Sequence, residues 1–337
     1  MRYHFVACTL ASVALCLVSA ARSQEPNSQS SRQNADAVRP WRMNCDPPRD
    51  SARQDDATPR WQYLGMPVPG DRPERFAPDV IPTPPGVHSA PVFSKDGTLV
   101  LWSPMARGPE TKIMRCINHV WSKPETIDFG MGEGVGEPFF SPDGRRLYFN
   151  SFCATPRDPV KRERIWYVER QGEAWSAPLV VDETVTSRPT HWQFSVAANY
   201  NLYFTSEADG VRGEQDIYMA KYENGRYLAP RDLGPNVNSD GMDCAPFIAP
   251  DESYLLFTRR DAGTRKADLH VSFRTADDEW TAAVSLGDLV NTDGNDLCPV
   301  VSPDGKYLFY TRTTPNGYGV FWLNASFLES LRPKSQP

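Results

Sequence analysis

Two short segments of this chain are built almost alike: Asn238-Ser239-Asp240-Gly241-Met242-Asp243 and Asn291-Thr292-Asp293-Gly294-Asn295-Asp296. Oxygen-rich loops of this type can hold Ca²⁺, here through Asp240, Asp243, Asp293 and Asp296, although neither carries the terminal Glu of a full calcium loop. Asx turns between strands account for the same residues more simply. Around them stand His88, Glu137, His191, Arg259 and Arg312. Carboxylates, imidazoles and guanidiniums gathered at one place could bind a polar ligand such as a glycan or a peptide terminus. They could equally bond neighbouring loops, because buried polar groups must find partners with or without a ligand.

Several chemistries are excluded. No Gly-x-Ser-x-Gly elbow is present, so the hydrolase domain that accompanies some propellers is missing. No His-Glu-x-x-His helix and no Gly-rich phosphate loop occurs. Cleavage of a glycosidic bond would require two carboxylates at a set separation. Glu137, Asp243 and Asp296 are the candidates for such a pair.

The elements that must position these residues repeat along the chain. A turn followed by an apolar strand recurs at Ser94-Lys95-Asp96-Gly97, Ser141-Pro142-Asp143-Gly144, Ser195-Val196-Ala197, Ala249-Pro250-Asp251 and Ser302-Pro303-Asp304-Gly305. The anchoring Asp residues are 47 apart in the first pair and 53 in the last. An aromatic marks a second repeat at Trp121, Trp175, Tyr227 and Trp280, spaced 54, 52 and 53 residues apart. Between the two lie strand-like runs such as Ile165-Trp166-Tyr167-Val168 and Ile217-Tyr218-Met219-Ala220. Four short antiparallel strands per repeat make a propeller blade. The expected fold is all-β, a five-bladed β-propeller.

The last repeat stops after Gly319-Val320-Phe321-Trp322-Leu323. The element it lacks stands near the other end of the chain, as Phe76-Ala77-Pro78-Asp79-Val80-Ile81. Residues 76–81 are therefore expected to cross over, complete the last blade beside Val320 to Leu323, and leave no exposed blade edge. The first strand of each blade would then line a central channel. Residues just before it (His88, Glu137, His191, Asp243, Asp296) and just after the second strand (Ser151, Ser206, Arg259, Arg312) would meet at one rim.

The segments Ser141-Pro142-Asp143-Gly144-Arg145-Arg146-Leu147-Tyr148-Phe149 and Ser302-Pro303-Asp304-Gly305-Lys306-Tyr307-Leu308-Phe309-Tyr310, with Asn291-Thr292-Asp293-Gly294 leading into the latter, resemble the PD40 or WD40-like β-propeller repeat family. Its members include bacterial exported propellers related to that of TolB. The resemblance covers residues 76–326 and implies the fold and an envelope location. The third copy lacks its Pro-Asp-Gly, and no separate α/β domain precedes the propeller.

Residues 1–21 read as a secretory signal, with Arg2 at its start, an apolar Phe5-to-Val18 stretch and a small-residue cleavage site at Val18-Ser19-Ala20 or Ser19-Ala20-Ala21. Leu15 before Cys16 argues against lipid attachment. Residues 22–59 are polar and Pro-rich and read as a disordered tether. Residues 60–332 make the propeller, and 333–337 a tail. The formal charge of −6, one unit more acidic without Arg2, argues against nucleic acid. Cys45, Cys116, Cys153, Cys244 and Cys298 remain after the signal, an odd number, so at least one stays free if the others pair. Cys244 and Cys298 read as small buried apolar groups.

The sequence thus points to a monomeric, exported, non-catalytic binding propeller for a protein or glycan partner. It has no membrane span and no cofactor beyond the calcium alternative. A carbohydrate-active hydrolase or lyase using rim carboxylates or histidines is the alternative.

Overall fold

The computed structural model describes residues 63–333, except 82, 83, 85, 106, 107, 173, 187, 190 and 208–212. The expected signal, the tether and all but the first residue of the tail lie outside the described residues. Five antiparallel sheets form the blades of a β-propeller. Blade 1 runs Val92–Phe93, Leu99–Trp102, Lys112–Ile117 and Glu125–Thr126. Blade 2 runs Gly136–Phe140, Arg146–Ser151, Arg164–Gln171 and Leu179–Val180. Blade 3 runs His191–Val196, Leu202–Ser206, Asp216–Ala220 and Arg231–Asp232. Blade 4 runs Met242–Ile248, Tyr254–Arg260, Asp268–Phe273 and Val284–Ser285. Blade 5 takes Asp296–Val301, Tyr307–Thr314 and Gly317–Asn324 from the end of the chain.

Its fourth strand is Glu74–Arg75, antiparallel to Gly317–Asn324 with Glu74 opposite Trp322 and Arg75 opposite Phe321. The crossover closes the ring where the sequence placed it, but with the strand slightly earlier. Phe76 donates its amide to Val320 O at 3.0 Å. Ile127, Val181, Leu233 and Leu286 do the same to Thr111, Ile165, Ile217 and Leu269 in the other blades. Phe76 therefore corresponds to these residues, not to Trp121 and its counterparts. Residues 77–81 form the turn that follows an outer strand: Val80 and Ile81 both donate to Ala77 O, as Val237 and Asn238 donate to Gly234 O and Val290 and Asn291 to Gly287 O. Phe76 and Tyr63 wedge the closure, both rings packing on Phe93 of blade 1 and on Phe309 and Trp322 of blade 5.

The recurring Ser-x-Asp-Gly turn has a local cause. In blades 1, 2 and 5 the Ser hydroxyl donates to the Asp carboxylate at 2.6 Å. That hydroxyl also accepts the amide of the residue starting the next strand, at 2.9–3.0 Å. Gly97, Gly144 and Gly305 take a positive φ of 70–76° that costs Gly little. Blades 3 and 4 make the same turn through Asn199 and Asp251, with Tyr200 and Glu252 forced to φ 68° and 60°. The turn thus survives where the sequence motif has decayed.

The first strands of blades 2, 4 and 5 each carry a bulge, at Gly136/Phe139, Cys244/Phe247 and Leu297/Val300. The bulged residues Glu137, Ala245 and Cys298 sit at φ 49°, 52° and 54°. Each is followed by Pro. A hydroxyl from the second strand of the preceding blade accepts the bulge amide in each case: Ser103 for Glu137 (2.9 Å), Thr205 for Ala245 (3.1 Å) and Thr258 for Cys298 (3.0 Å). These bonds stitch neighbouring blades along the channel, and the bulge re-aims its side chain.

Candidate functional site

At the rim where the first strands begin, blades 4 and 5 carry the same construction. Asp243 accepts from the Ser239 amide (2.6 Å) and hydroxyl (2.7 Å) with one oxygen, and from Arg259 Nε (2.7 Å) with the other. Arg259 then reaches Val237 O. Asp296 repeats this with the Thr292 amide (2.7 Å) and hydroxyl (2.8 Å) and Arg312 Nε (2.7 Å), and Arg312 reaches Val290 O and the Tyr310 hydroxyl. Both aspartates are fully buried. Each is an anchor that ties the incoming loop to the strand pair.

This bears on the calcium alternative. Asp243 and Asp296 point inward with both oxygens engaged, while Asp240 and Asp293 are exposed. The loop's own amide and hydroxyl take one oxygen of each buried aspartate and a guanidinium takes the other. Among the described residues, no group of three or more His, Cys, Asp or Glu is arranged to hold a metal ion.

The opposite part of the rim is built differently. His88 occupies the position in blade 1 that Asp243 and Asp296 occupy in blades 4 and 5, each lying two residues before the residue that precedes Pro. Its amide donates to Ser103 O at 2.8 Å. The matching residue in blade 2 is Val135, whose side chain cannot hydrogen-bond. Glu137 is instead the bulge residue of blade 2 and turns toward blade 1. His88 Nδ1 and Glu137 Oε1 are 2.5 Å apart. Glu137 is buried, His88 keeps about a third of its side chain in solvent (35%), and Glu137 Oε2 has no hydrogen-bond partner among the described residues. Burial works to lower the His88 pKa, but the charge and hydrogen bond of Glu137 and the charge of Glu163 outweigh it. The imidazole is held above its ordinary value.

Around this pair lie groups the sequence reading did not single out. Glu163 accepts from Asn150 Nδ2 at 2.6 Å. Gln193 stands where the other blades have Pro91, Pro138, Pro246 and Pro299, and its amide reaches Pro299 O of blade 5 at 3.3 Å. Its Oε1 is buried without a partner among the described residues. The signal for it was the Ala90-Pro91-Val92, Glu137-Pro138-Phe139, Ala245-Pro246-Phe247 and Cys298-Pro299-Val300 series, broken only at Gln193. His191 opens the first strand of blade 3 opposite Thr205.

Residues 152–163 form a long loop over the blade 2 side of this rim. The fully buried Arg164 holds it from beneath, bonding Asp158 (2.6 Å), Cys153 O (2.9 Å) and Val160 O (3.0 Å). The loop exposes Phe152 (40%) and Val160 (60%), and Met105 (41%) is exposed after the second strand of blade 1. Apolar groups thus accompany a polar mouth.

Cys153, Cys244 and Cys298 are buried, the last two in one small apolar cluster with Met242 and Ala245. Burial, with the charge of Glu137 adding to it, pushes the Cys298 thiol well above its ordinary value, so it is a thiol and not a thiolate. Cys116 is disulfide-bonded.

The sequence matches no protein-family profile, and no curated protein matches it. Solved structures do resemble the fold. TolB from Acinetobacter baumannii superposes with a TM-score of 0.46 at 12% identity, over 71% of this chain and 57% of that one. This chain therefore spans little more than half the length of that protein. A glycoside hydrolase superposes with a TM-score of 0.48 at 12% identity, over 82% of this chain and 95% of its own. A thermostable family-43 glycoside hydrolase gives a TM-score of 0.44 at 11% identity, over 68% and 86%.

Proposed function

We propose that this protein is a non-catalytic propeller of the PD40 type that holds a protein or glycan partner at the rim where its first strands begin. The observation that carries this reading is Glu137 Oε2, a buried carboxylate oxygen with no donor beside a half-open imidazole. Leaving such an oxygen unsatisfied costs about 1–3 kcal/mol or more, since it is charged. A hydroxyl or amine of a bound partner would supply the missing donor. Asp243, Arg259, Asp296 and Arg312 shape the rim by holding its loops, with His88 and Glu137 as the contact centre and His191 at the blade 3 edge. The exposed Phe152, Val160 and Met105 favour a protein surface over a glycan alone. Export to the bacterial envelope follows from the signal-like residues 1–21. No helix among the described residues is long and apolar enough to cross a membrane.

The test is a glycan array and an envelope pull-down with the mature protein, its Glu137→Gln variant and its Asp243→Ala variant. Partner binding lost in Glu137→Gln with the fold intact supports the assignment. Binding unchanged in Glu137→Gln removes the site.

A hydrolase reading has one specific observation in its favour: His88 feels the charges of two carboxylates, Glu137 and Glu163. Asp243 and Asp296 do not serve it, because both oxygens of each are committed. Turnover of chromogenic glycosides, abolished by Glu137→Gln, would replace binding with catalysis.

A further inference from the structure

At the opposite mouth, where the first strands run into their hairpin turns, the channel holds an apolar cavity of about 220 Å³. All five blades line it, through Val92, Phe139, Val196, Phe247 and Val300 among others. Val92, Phe139, Phe247 and Val300 keep 5–7% exposure, whereas Val100, Phe149, Leu256 and Phe309 on the second strands have none. That residue of exposure marks side chains that face open space instead of packed core. The Phe139 and Phe247 rings meet edge to face at 6.2 Å between the non-adjacent blades 2 and 4, which narrows the channel here.

The lip of the cavity is the ring of hairpin turns. Pro142, Pro250 and Pro303 stand on it. Blade 1 breaks this apolar ring, because Lys95 occupies the position of those prolines and lines the same cavity. Two serines also line it, but their hydroxyls are committed: Ser141 to Asp143 and Ser302 to Asp304, both at 2.6 Å. Lys95 makes no ion pair among the described residues. The adjacent Asp96 is occupied by Ser94, Thr98 and Arg170. A cation without a counter-charge therefore stands at the edge of a closed apolar wall.

We infer that this funnel is a second binding site, distinct from the His88–Glu137 mouth, and that it takes a short aliphatic carboxylate. The chain enters between Val92, Phe139, Phe247 and Val300, where burying apolar surface supplies the affinity. The carboxylate stays at the lip against Lys95, which sets the orientation and the sign of the charge. A mostly apolar cavity with few placed polar groups is the usual make-up of a small-molecule site. The volume lies below the roughly 300–1,000 Å³ of drug-sized pockets, which selects a short chain over a long one.

The experiment is isothermal titration calorimetry of the mature protein with octanoate and with octylamine, which share the chain and differ in head-group charge. Octanoate should saturate at one molecule per chain, and octylamine should bind at least about tenfold more weakly. Lys95→Glu changes an exposed turn residue and leaves the wall intact, so its fold should match the parent by circular dichroism. It should weaken octanoate by about tenfold or more and erase the preference for the acid. Val300→Trp, which fills the cavity, should abolish binding of both. Absence of saturable octanoate binding, equal binding of octylamine, or full octanoate affinity in Lys95→Glu would each overturn the assignment.

Discussion

Asp296 and Arg312 face each other across the first two strands of blade 5, with Arg312 Nε 2.7 Å from Asp296 Oδ1, and Asp243 and Arg259 do the same in blade 4. Each aspartate also receives the amide and hydroxyl of a residue four positions earlier. The pair is a loop anchor used twice. Removing one member leaves the other charge buried and unpaired, which costs about 3–5 kcal/mol. Arg312→Ala should therefore lower stability by about that amount in urea unfolding, and Arg259→Ala likewise. A loss under about 1 kcal/mol in both would mean the anchors are dispensable.

The His88–Glu137 pair makes a pH prediction. The folded-state pKa of His88 is raised above its ordinary value, chiefly because Glu137 overcomes the effect of burial. A raised histidine stabilises the fold fully below its unfolded pKa, near 6.5, and loses that contribution as pH rises through the folded value. In Glu137→Gln, burial acts alone with the weaker Glu163 charge, and the pKa should fall. Imidazole titration by NMR in both proteins reads this directly. An unchanged His88 titration would show that the pair does not exist in solution.

Strong acid should weaken the hairpin turns. Hydrogen bonds from Ser94, Thr98 and Arg170 outweigh the burial that would raise the Asp96 pKa, and hold it at about 2. Asp143 is depressed in the same way by Ser141, Tyr200 and the Arg145 amide. A depressed carboxylate contributes stability above its unfolded pKa, near 3.9, and loses it as pH falls toward the folded value. Asp96→Asn should flatten the stability profile between about pH 4 and 2 relative to the parent, measured by thermal unfolding across that range. A parallel profile would locate the acid sensitivity elsewhere.

Closure of the ring rests on Phe76, which has no solvent exposure. Phe76→Ala should cost about 3–5 kcal/mol by deleting a buried ring from an aromatic cluster. It should also speed hydrogen exchange at the amides of Gly317–Asn324, which lose a firmly held neighbour. Exchange that accelerates equally in all five blades would show that the seam is no weaker than the rest.

Much of the architecture was legible in the residue order, for a physical reason. Blade period, turn chemistry and strand patterning depend on neighbours within a few residues. Ser94, Asp96 and Gly97 bond one another, and the same bonds recur wherever that spacing recurs. Even the crossover was visible as a missing outer strand, although its register slipped because Phe76 resembles the aromatic repeat in type and belongs to the apolar position that follows it. The rim was legible only as a set of residue types. Asp243 and Glu137 are both acids near the start of a first strand, and although their offsets from Pro246 and Pro138 differ, residue type does not say which carboxylate is satisfied. That difference arose from a one-strand bulge and from which side chain the next blade presents. Arg259 closes on Asp243, whereas His88 leaves Glu137 with one oxygen free. Gln193 and Lys95 break proline series visible in the sequence, but only the fold shows what surrounds them. Local bonding is written in the chain because it is short-ranged, and the balance of buried charge is decided by tertiary structure because its partners come from elsewhere in the ring.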